Sequence, residues 1–549
     1  MLTRREWLTG LGLARTVVGS GAPPRPNIIM IVADDLGFSD LGCYGGEIST
    51  PNLDRLAKRG IRFTQFYNAA RCCPSRASLL TGLYPHQAGM GNMTSPKPNE
   101  EFPGYRGQLN NRCVTIPQLL RRAGYTTLMS GKWHLGQRGP IERGFEEFYG
   151  MIHGFDSFWD PSKYTRLPEG RPTRNYEAGK FYATDAITDY AIDFLNVARR
   201  KDQPYFLYLA YNAAHFPLHA PKDVIDKYAP VYEKGWDAIR EGRFRRLREL
   251  GIIDPRWEFT PRSIVGPNRV SNINGWAPKQ NPAWDSIDAD RRKDLARRMA
   301  IYAAMVEIMD RNIGRVIADL EAHHELDNTL IVFFSDNGAC AEWDPWGFDI
   351  KSGPDNILHK GADLQKMGQP GTYHSYGSGW ANACNTPWRM YKHYNHEGGI
   401  TTPFIVHWPA KVRRAGAMES QPAHLIDLMP TFLELAGATY PKEFGGQPVF
   451  PPEGVSLAPL FEGKPIRRGP LFWEHEGSRA MRDGKWKLVA LGAAGPWELY
   501  DMEADRTEMR NLASKYPERV RAMVAQWEAW AKRAQVIPWI WSPQYPLTP

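Results

Sequence analysis

Asn27-Ile28-Ile29-Met30-Ile31-Val32-Ala33-Asp34-Asp35 is an apolar run closed by two adjacent carboxylates. Hydrophobicity without polar alternation reads as a strand buried on both faces, the kind found in parallel sheets. Similar runs recur at Thr126-Thr127-Leu128-Met129-Ser130, Tyr205-Phe206-Leu207-Tyr208-Leu209, Leu330-Ile331-Val332-Phe333-Phe334 and Phe404-Ile405-Val406. Helical spacing separates them, most clearly through Met299, Tyr302, Met305, Val306, Met309, Ile313 and Ile317. Strand and helix in alternation predict an α/β fold, a large mixed but mostly parallel sheet flanked by helices. Ligands of such sheets gather at the carboxyl ends of the strands. Asp34-Asp35, Gly131-Lys132 and Ser335-Asp336-Asn337 stand at those ends.

The 549 residues exceed what a single core organises, so at least two structural units are expected. Hydrophobic residues make up 42%, with 19 Trp and 24 Tyr, enough for a large core, and 23% charged residues argue against disorder. The net charge of +8 is modest for this length, and no run of ~5–6 like charges points to nucleic acid. Cys43, Cys72, Cys73, Cys113, Cys340 and Cys384 are too scattered for a disulfide scaffold and include no Cys-x-x-Cys zinc pair, so packed, reduced thiols are expected. No apolar stretch reaches the ~20 residues of a membrane span. Thr3-Arg4-Arg5-Glu6-Trp7-Leu8, followed by a Leu- and Gly-rich stretch and by Ser20-Gly21-Ala22, reads as a twin-arginine export signal over residues 1–24. That predicts a periplasmic protein; the alternative is a disordered cytoplasmic tail.

Residues 351–386 are rich in Gly and Lys, contain His and lack periodicity, which reads as a functional or mobile loop. Beyond about residue 463 the texture changes. Leu471-Phe472-Trp473, Ser478-Arg479-Ala480-Met481-Arg482 and Lys485-Trp486-Lys487-Leu488-Val489 read as short strands about an Asp483-Gly484 turn, and a helix follows from about Pro517 to Ala534. The expected organisation is a signal or disordered terminus over 1–24, a catalytic domain over 25–462, and a small antiparallel α+β subdomain over 463–549.

Cys72-Cys73-Pro74-Ser75-Arg76-Ala77-Ser78-Leu79-Leu80-Thr81-Gly82 carries the most specific pattern. Pro74 suits the first turn of a helix, which places Cys72 just before its N-terminus, where free amides and the helix dipole favour an anion. Arg76 adds a fixed positive fork. The stretch resembles the maturation signature of the sulfatase family, Cys-x-Pro-Ser-Arg leading into Leu-Thr-Gly. Gly131-Lys132-Trp133-His134 resembles a second signature of that family, and Ala214-His215-Phe216-Pro217-Leu218 resembles a third. Lys392, five residues before Glu397-Gly398-Gly399, resembles a fourth. The likeness runs from about residue 26 to 440, and Gly235-Trp236-Asp237 and Trp380-Ala381-Asn382 look like its bacterial arylsulfatase branch. The remaining histidines, among them His86, His219, His393 and His396, read by default as surface or satisfied residues.

The resemblance implies an alkaline-phosphatase-like fold and hydrolysis of sulfate monoesters. Cys72 is then oxidised to formylglycine by a formylglycine-generating or anaerobic maturation enzyme, and its hydrate supplies the nucleophile. One Ca²⁺ is held by Asp34, Asp35, Asp336, Asn337 and residue 72. Four oxygen-bearing side chains independently suit a hard divalent cation, although Asp and Asn after a strand also cap helices. The resemblance further implies that Arg76 stabilises the hydrate, Lys132 and Lys392 hold the sulfuryl oxygens, His215 protonates the leaving oxygen, and His134 deprotonates residue 72 to release sulfate. The substrate is a sulfated small molecule or carbohydrate. Two alternatives remain open at this point: a phosphonate monoester or phosphodiester hydrolase of the same superfamily, and a sulfate-binding protein without activity should Cys72 never be oxidised.

Overall fold

The opening run forms the strand Asn27–Ala33 at the centre of a ten-stranded sheet. The computed structural model describes residues 25–265, 279–342, 344–350 and 356–541. The twin-arginine-like stretch lies outside the described residues. Across the sheet the strands run Ala417–Glu419, Ile61–Tyr67, Thr401–His407, Thr329–Ser335, Asn27–Ala33, Tyr205–Ala210, Thr126–Gly131, Glu147–Gly150 and Thr165–Leu167, with Ala423–His424 also beside Ile61–Tyr67. Asn27–Ala33 pairs in parallel with Thr329–Ser335 and with Tyr205–Ala210, and Thr126–Gly131 extends the parallel block. Thr401–His407 is antiparallel to both its neighbours.

The central strand shows why its run had no polar alternation. Ile29, Ile31 and Ala33 enter the core on one face, and Ile28, Met30 and Val32 enter the core on the other. The first face is covered by the helix Ala289–Ala322, whose N-cap Asp288 accepts the Arg291 amide at 2.9 Å. The second face is covered by the helix Cys72–Thr81, every residue of which is buried. Gly82, at φ 70°, takes the left-handed conformation that ends it.

A separate antiparallel sheet is made by Leu471–His475, Ser478–Asp483, Trp486–Ala490 and Trp497–Asp501, backed by the helix Pro517–Ala534. The fourth strand was not legible because Trp497–Asp501, Trp-Glu-Leu-Tyr-Asp, shows no regular alternation and spans only five residues. The non-periodic stretch 351–386 also differs from its reading as a loop, since Gly377–Cys384 is a helix. Two glycines mask it in the sequence, and burial of Trp380 outweighs their poor propensity.

The two sheets are joined through Glu397, which is fully buried. It accepts from Lys487 Nζ at 2.8 Å, Arg506 Nε at 2.8 Å, Thr401 Oγ1 at 3.0 Å and the Tyr67 hydroxyl at 3.1 Å. Burial opposes its ionisation, but Lys487 and Arg506 hold the carboxyl at about 2. Its stabilisation is therefore present above the unfolded-state value of 4.5 and is lost as pH falls through about 2. Glu397→Ala leaves the buried Arg506 without its carboxylate and Lys487 with Glu508 alone, and is expected to cost about 3–5 kcal/mol in urea unfolding at neutral pH. A loss below about 1 kcal/mol would show that the joint is held by apolar packing instead.

Candidate active site

Strand direction gathers the site. Asp34-Asp35, Lys132 and Asp336-Asn337 directly follow parallel strands, and His215 follows Tyr205–Ala210 after a short loop. Ile61–Tyr67 runs the same way, so the helix beginning at Cys72 starts at the same edge. Lys392 precedes the antiparallel strand Thr401–His407, whose amino end lies at that edge too. The pairing of Ala33 with Ser335 sets Asp34 and Asp336 side by side. Cys72 is the first residue of its helix rather than the residue before it, with Arg71 as the N-cap.

All the residues singled out in the sequence are buried here, none more than 6% exposed. Arg76 donates to Asp336 Oδ2 from Nε at 3.0 Å, places its NH2 2.8 Å from the same oxygen, and donates from NH1 to the Lys132 carbonyl at 2.9 Å. Lys132 Nζ donates to Asp34 Oδ2 at 2.5 Å, and Lys392 Nζ to Asp35 Oδ2 at 2.9 Å. His215 Nε2 lies 3.4 Å from that same Asp35 oxygen. Its Nδ1 is 2.6 Å from the Phe216 carbonyl, so Nδ1 carries the hydrogen and Nε2 faces the site. His134 hydrogen-bonds the Cys72 side chain. It does so from a left-handed backbone, φ 54°. Gly154 packs against its ring: a Cβ there would lie 2.7 Å from Cε1.

Proton affinities follow from burial and neighbours. A hydrogen bond from Cys73, helped by His134 and Lys132 against the effect of burial, holds the Cys72 thiol well below its usual range. Burial lowers His134 and His215 to about 4, so both are neutral at pH 7. Burial works against ionisation of Asp35, yet Lys392 and His215 keep it at about 2. Asp34 is raised by burial despite Lys132 and Arg76, and burial with the Asp34 charge pushes Asp336 up to about 8.

Burial keeps Asp34 and Asp336 reluctant to ionise even beside Arg76 and Lys132, which bears on the cation. Asp34 Oδ1 and Asn337 Oδ1 are buried and have no hydrogen-bond partner among the described residues. Unsatisfied oxygens beside carboxylates that resist ionisation fit a hard divalent ion. Three ionised carboxylates would balance three cations (Arg76, Lys132 and Lys392), so a divalent ion would leave the site net positive, as an anionic sulfate ester and the sulfate it releases require.

Several neighbours escaped the sequence reading. The Tyr208 hydroxyl accepts from Arg76 NH1 at 3.3 Å, and strand alternation alone could have found it. Phe155, 42% exposed, lies parallel to the His215 ring at 5.6 Å, and Glu342 lies 3.8 Å from Lys392 Nζ. Neither belongs to a motif. His86, His219, His393 and His396 are satisfied rather than at the surface: each is buried and hydrogen-bonded, to Glu474, the Thr372 carbonyl, Glu342 and Glu498 respectively.

The chain is similar to known proteins over most of its length. The Sulfatase family profile matches residues 26–438, and the profile described as N-sulphoglucosamine sulphohydrolase, C-terminal, matches residues 388–530. An uncharacterized sulfatase of Schizosaccharomyces pombe is 35% identical over 93% of this chain and 94% of its own length. An arylsulfatase of Klebsiella aerogenes is 34% identical over 80% of this chain and 93% of its own. Among solved structures, the crystal structure of Ps i-CgsB in complex with k-i-k-neocarrahexaose superposes with a TM-score of 0.65 at 26% identity, over 94% of this chain and 95% of that one. With the profile spanning most of the chain and two such relatives, the chain belongs to the sulfatase family and is a sulfuric ester hydrolase of alkaline-phosphatase-like fold. Among the described residues no helix is long and apolar enough to cross a membrane.

Proposed function

We propose that this chain hydrolyses sulfate monoesters, of arylsulfatase type, through residue 72 matured to formylglycine and one Ca²⁺. The observation that carries the reading is Cys72 at the start of a buried helix, ringed by four oxygen-bearing side chains, three cations and two neutral imidazoles. Asp34, Asp35, Asp336, Asn337 and residue 72 hold the ion, which supplies charge to polarise sulfuryl oxygens. Oxidation of Cys72 supplies an aldehyde whose hydrate bears two hydroxyls, one that gives its proton to Asp336 as its oxygen attacks sulfur and one whose deprotonation lets sulfate go.

The chain's own groups divide the remaining work. Arg76 fixes Asp336 from one side, while Lys132 and Lys392 turn from Asp34 and Asp35 to the entering sulfuryl oxygens. His134, neutral and against residue 72, takes the hydroxyl proton that releases sulfate. His215 presents Nε2 to the leaving oxygen. Burial keeps that nitrogen bare in the free enzyme, and the negative charge of a bound ester raises its affinity for a proton. Lys392, which Asp35 keeps charged against the effect of burial, converges on the same carboxylate oxygen and assists. A sulfated phenol or carbohydrate is the substrate class, a formylglycine-forming enzyme the maturation partner, and twin-arginine export the route.

The test is to compare kcat/KM for a sulfate ester and a phosphodiester with the same leaving group. A preference for the phosphodiester would replace this reading with that of a phosphodiester or phosphonate hydrolase. His215→Ala is expected to slow alkyl and sugar sulfates by roughly 10²–10⁴ and nitrophenyl sulfate far less. The dependence of rate on leaving-group acidity should steepen accordingly. An unchanged slope would assign the proton to Lys392 alone.

A further inference from the structure

His475 ends the first strand of the C-terminal sheet, and the turn residue Glu476 after it meets Arg71 and His393, the sequence neighbours of Cys72 and Lys392. His475 is fully buried, and neither ring nitrogen has a hydrogen-bond partner among the described residues. An unpaired buried polar group is costly, and two on one ring call for an explanation. Its Nε2 lies 3.8 Å from Glu476 Oε1, and Glu476 Oε2 lies 3.5 Å from His393 Nδ1. One donor atom from each of the three residues falls within 4.8 Å of the other two. Ligands bound at ~2.0–2.2 Å around a tetrahedral ion stand ~3.3–3.5 Å apart, close to these separations.

The surrounding contacts have the form that metal ligands require. His393 Nε2 is 3.1 Å from Glu342 Oε1, which puts its hydrogen on Nε2 and leaves Nδ1 directed at the cluster. Arg71 NH1 donates to Glu476 Oε1 at 2.6 Å and orients that carboxylate. Outside the active site, the imidazole-carboxylate group of Asp349, His359 and His374 behaves differently. Asp349 is already satisfied by His359 Nε2 at 3.1 Å, by His374 Nδ1 and by Arg298 NH2 at 2.8 Å, and needs no ion to explain it.

We propose that His393, His475 and Glu476 form a second metal site, for Zn²⁺, distinct from the oxygen-lined site at Asp34 and Asp336. Two imidazoles and one carboxylate select a zinc-class ion, whereas an all-oxygen set selects a hard one. None of the three ligands touches a reacting atom. The ion is positional: it fastens the C-terminal turn to His393, the neighbour of Lys392, and through Glu476 to Arg71, the neighbour of Cys72.

Elemental analysis of the full-length protein, equilibrated with micromolar free Zn²⁺, is expected to find one zinc per chain beside calcium. Anomalous diffraction at the zinc edge should place the ion between His393, His475 and Glu476. His475→Ala should abolish that zinc while calcium content and circular dichroism stay unchanged, and Glu342→Gln should weaken zinc binding by about 10–100-fold. The proposal is overturned if the unaltered protein takes up no zinc, if the anomalous peak falls at Asp34 and Asp336 or at Asp349, or if folded His475→Ala keeps its zinc. Should His475→Ala fail to fold, the position of the anomalous peak in the unaltered protein decides alone.

Discussion

Cys72→Ser is expected to lower turnover of any sulfate ester by roughly 10⁴-fold or more, the scale on which removal of a nucleophile acts. The side chain stays small and buried at the start of the same helix, so folding and substrate affinity should change little. A lone hydroxyl can accept a sulfuryl group once, but it offers His134 no second O–H through which to expel it. The variant should therefore trap sulfate on the peptide containing position 72, visible by mass spectrometry after incubation with substrate. In the unaltered protein the same peptide should carry an aldehyde at position 72, captured by hydroxylamine, with Cys73 still a thiol. Only Cys72 stands in register with Pro74 and Arg76; Cys73 contributes a hydrogen bond to it, and burial with that bond keeps its own thiol protonated. An unmodified thiol at position 72 in fully active protein would falsify the mechanism.

Much of this was legible because the chemistry sits where local patterns end. Both faces of Asn27–Ala33 are core, so the sequence could show only continuous apolar residues there, and the first polar ones had to mark the strand's end. The same logic exposed Lys132 and Asp336. Lys392 was accessible only through the family resemblance, because it precedes an antiparallel strand and the pairing direction is not written locally. Glu342, Phe155 and His475 were illegible for a related reason. Each reaches the centre through a loop or from the second sheet, and no spacing relates residue 475 to residue 393 until the chain has folded. His475 shows the limit of a default assignment: its neighbours in sequence look like an ordinary strand end, and only the unpartnered ring nitrogens set it apart.

Asp336→Asn tests the other half of the site. The substitution keeps shape and one hydrogen-bond acceptor for Arg76 Nε, but removes a charge from an ion that Asp34, Asp35 and Asn337 cannot hold as well alone. Calcium should be lost in elemental analysis, and activity should fall with it by at least ~10³-fold, since the polarising charge and part of the sulfate-binding field go together. The unaltered protein should lose thermal stability on chelation, because an ion present at a thousand times its Kd stabilises by about 4 kcal/mol. That stabilisation should be absent from the variant. The opposing expectation is equally definite. Burial and the Asp34 charge make Asp336 a reluctant carboxylate without the ion, so if the site were a mere carboxylate pair bridged by Arg76, the amide would bind Arg76 nearly as well. The variant would then keep its stability, and chelation would leave the unaltered protein unmoved. Normal calcium content in Asp336→Asn would remove this residue from the ligand set and leave Arg76 as its only use.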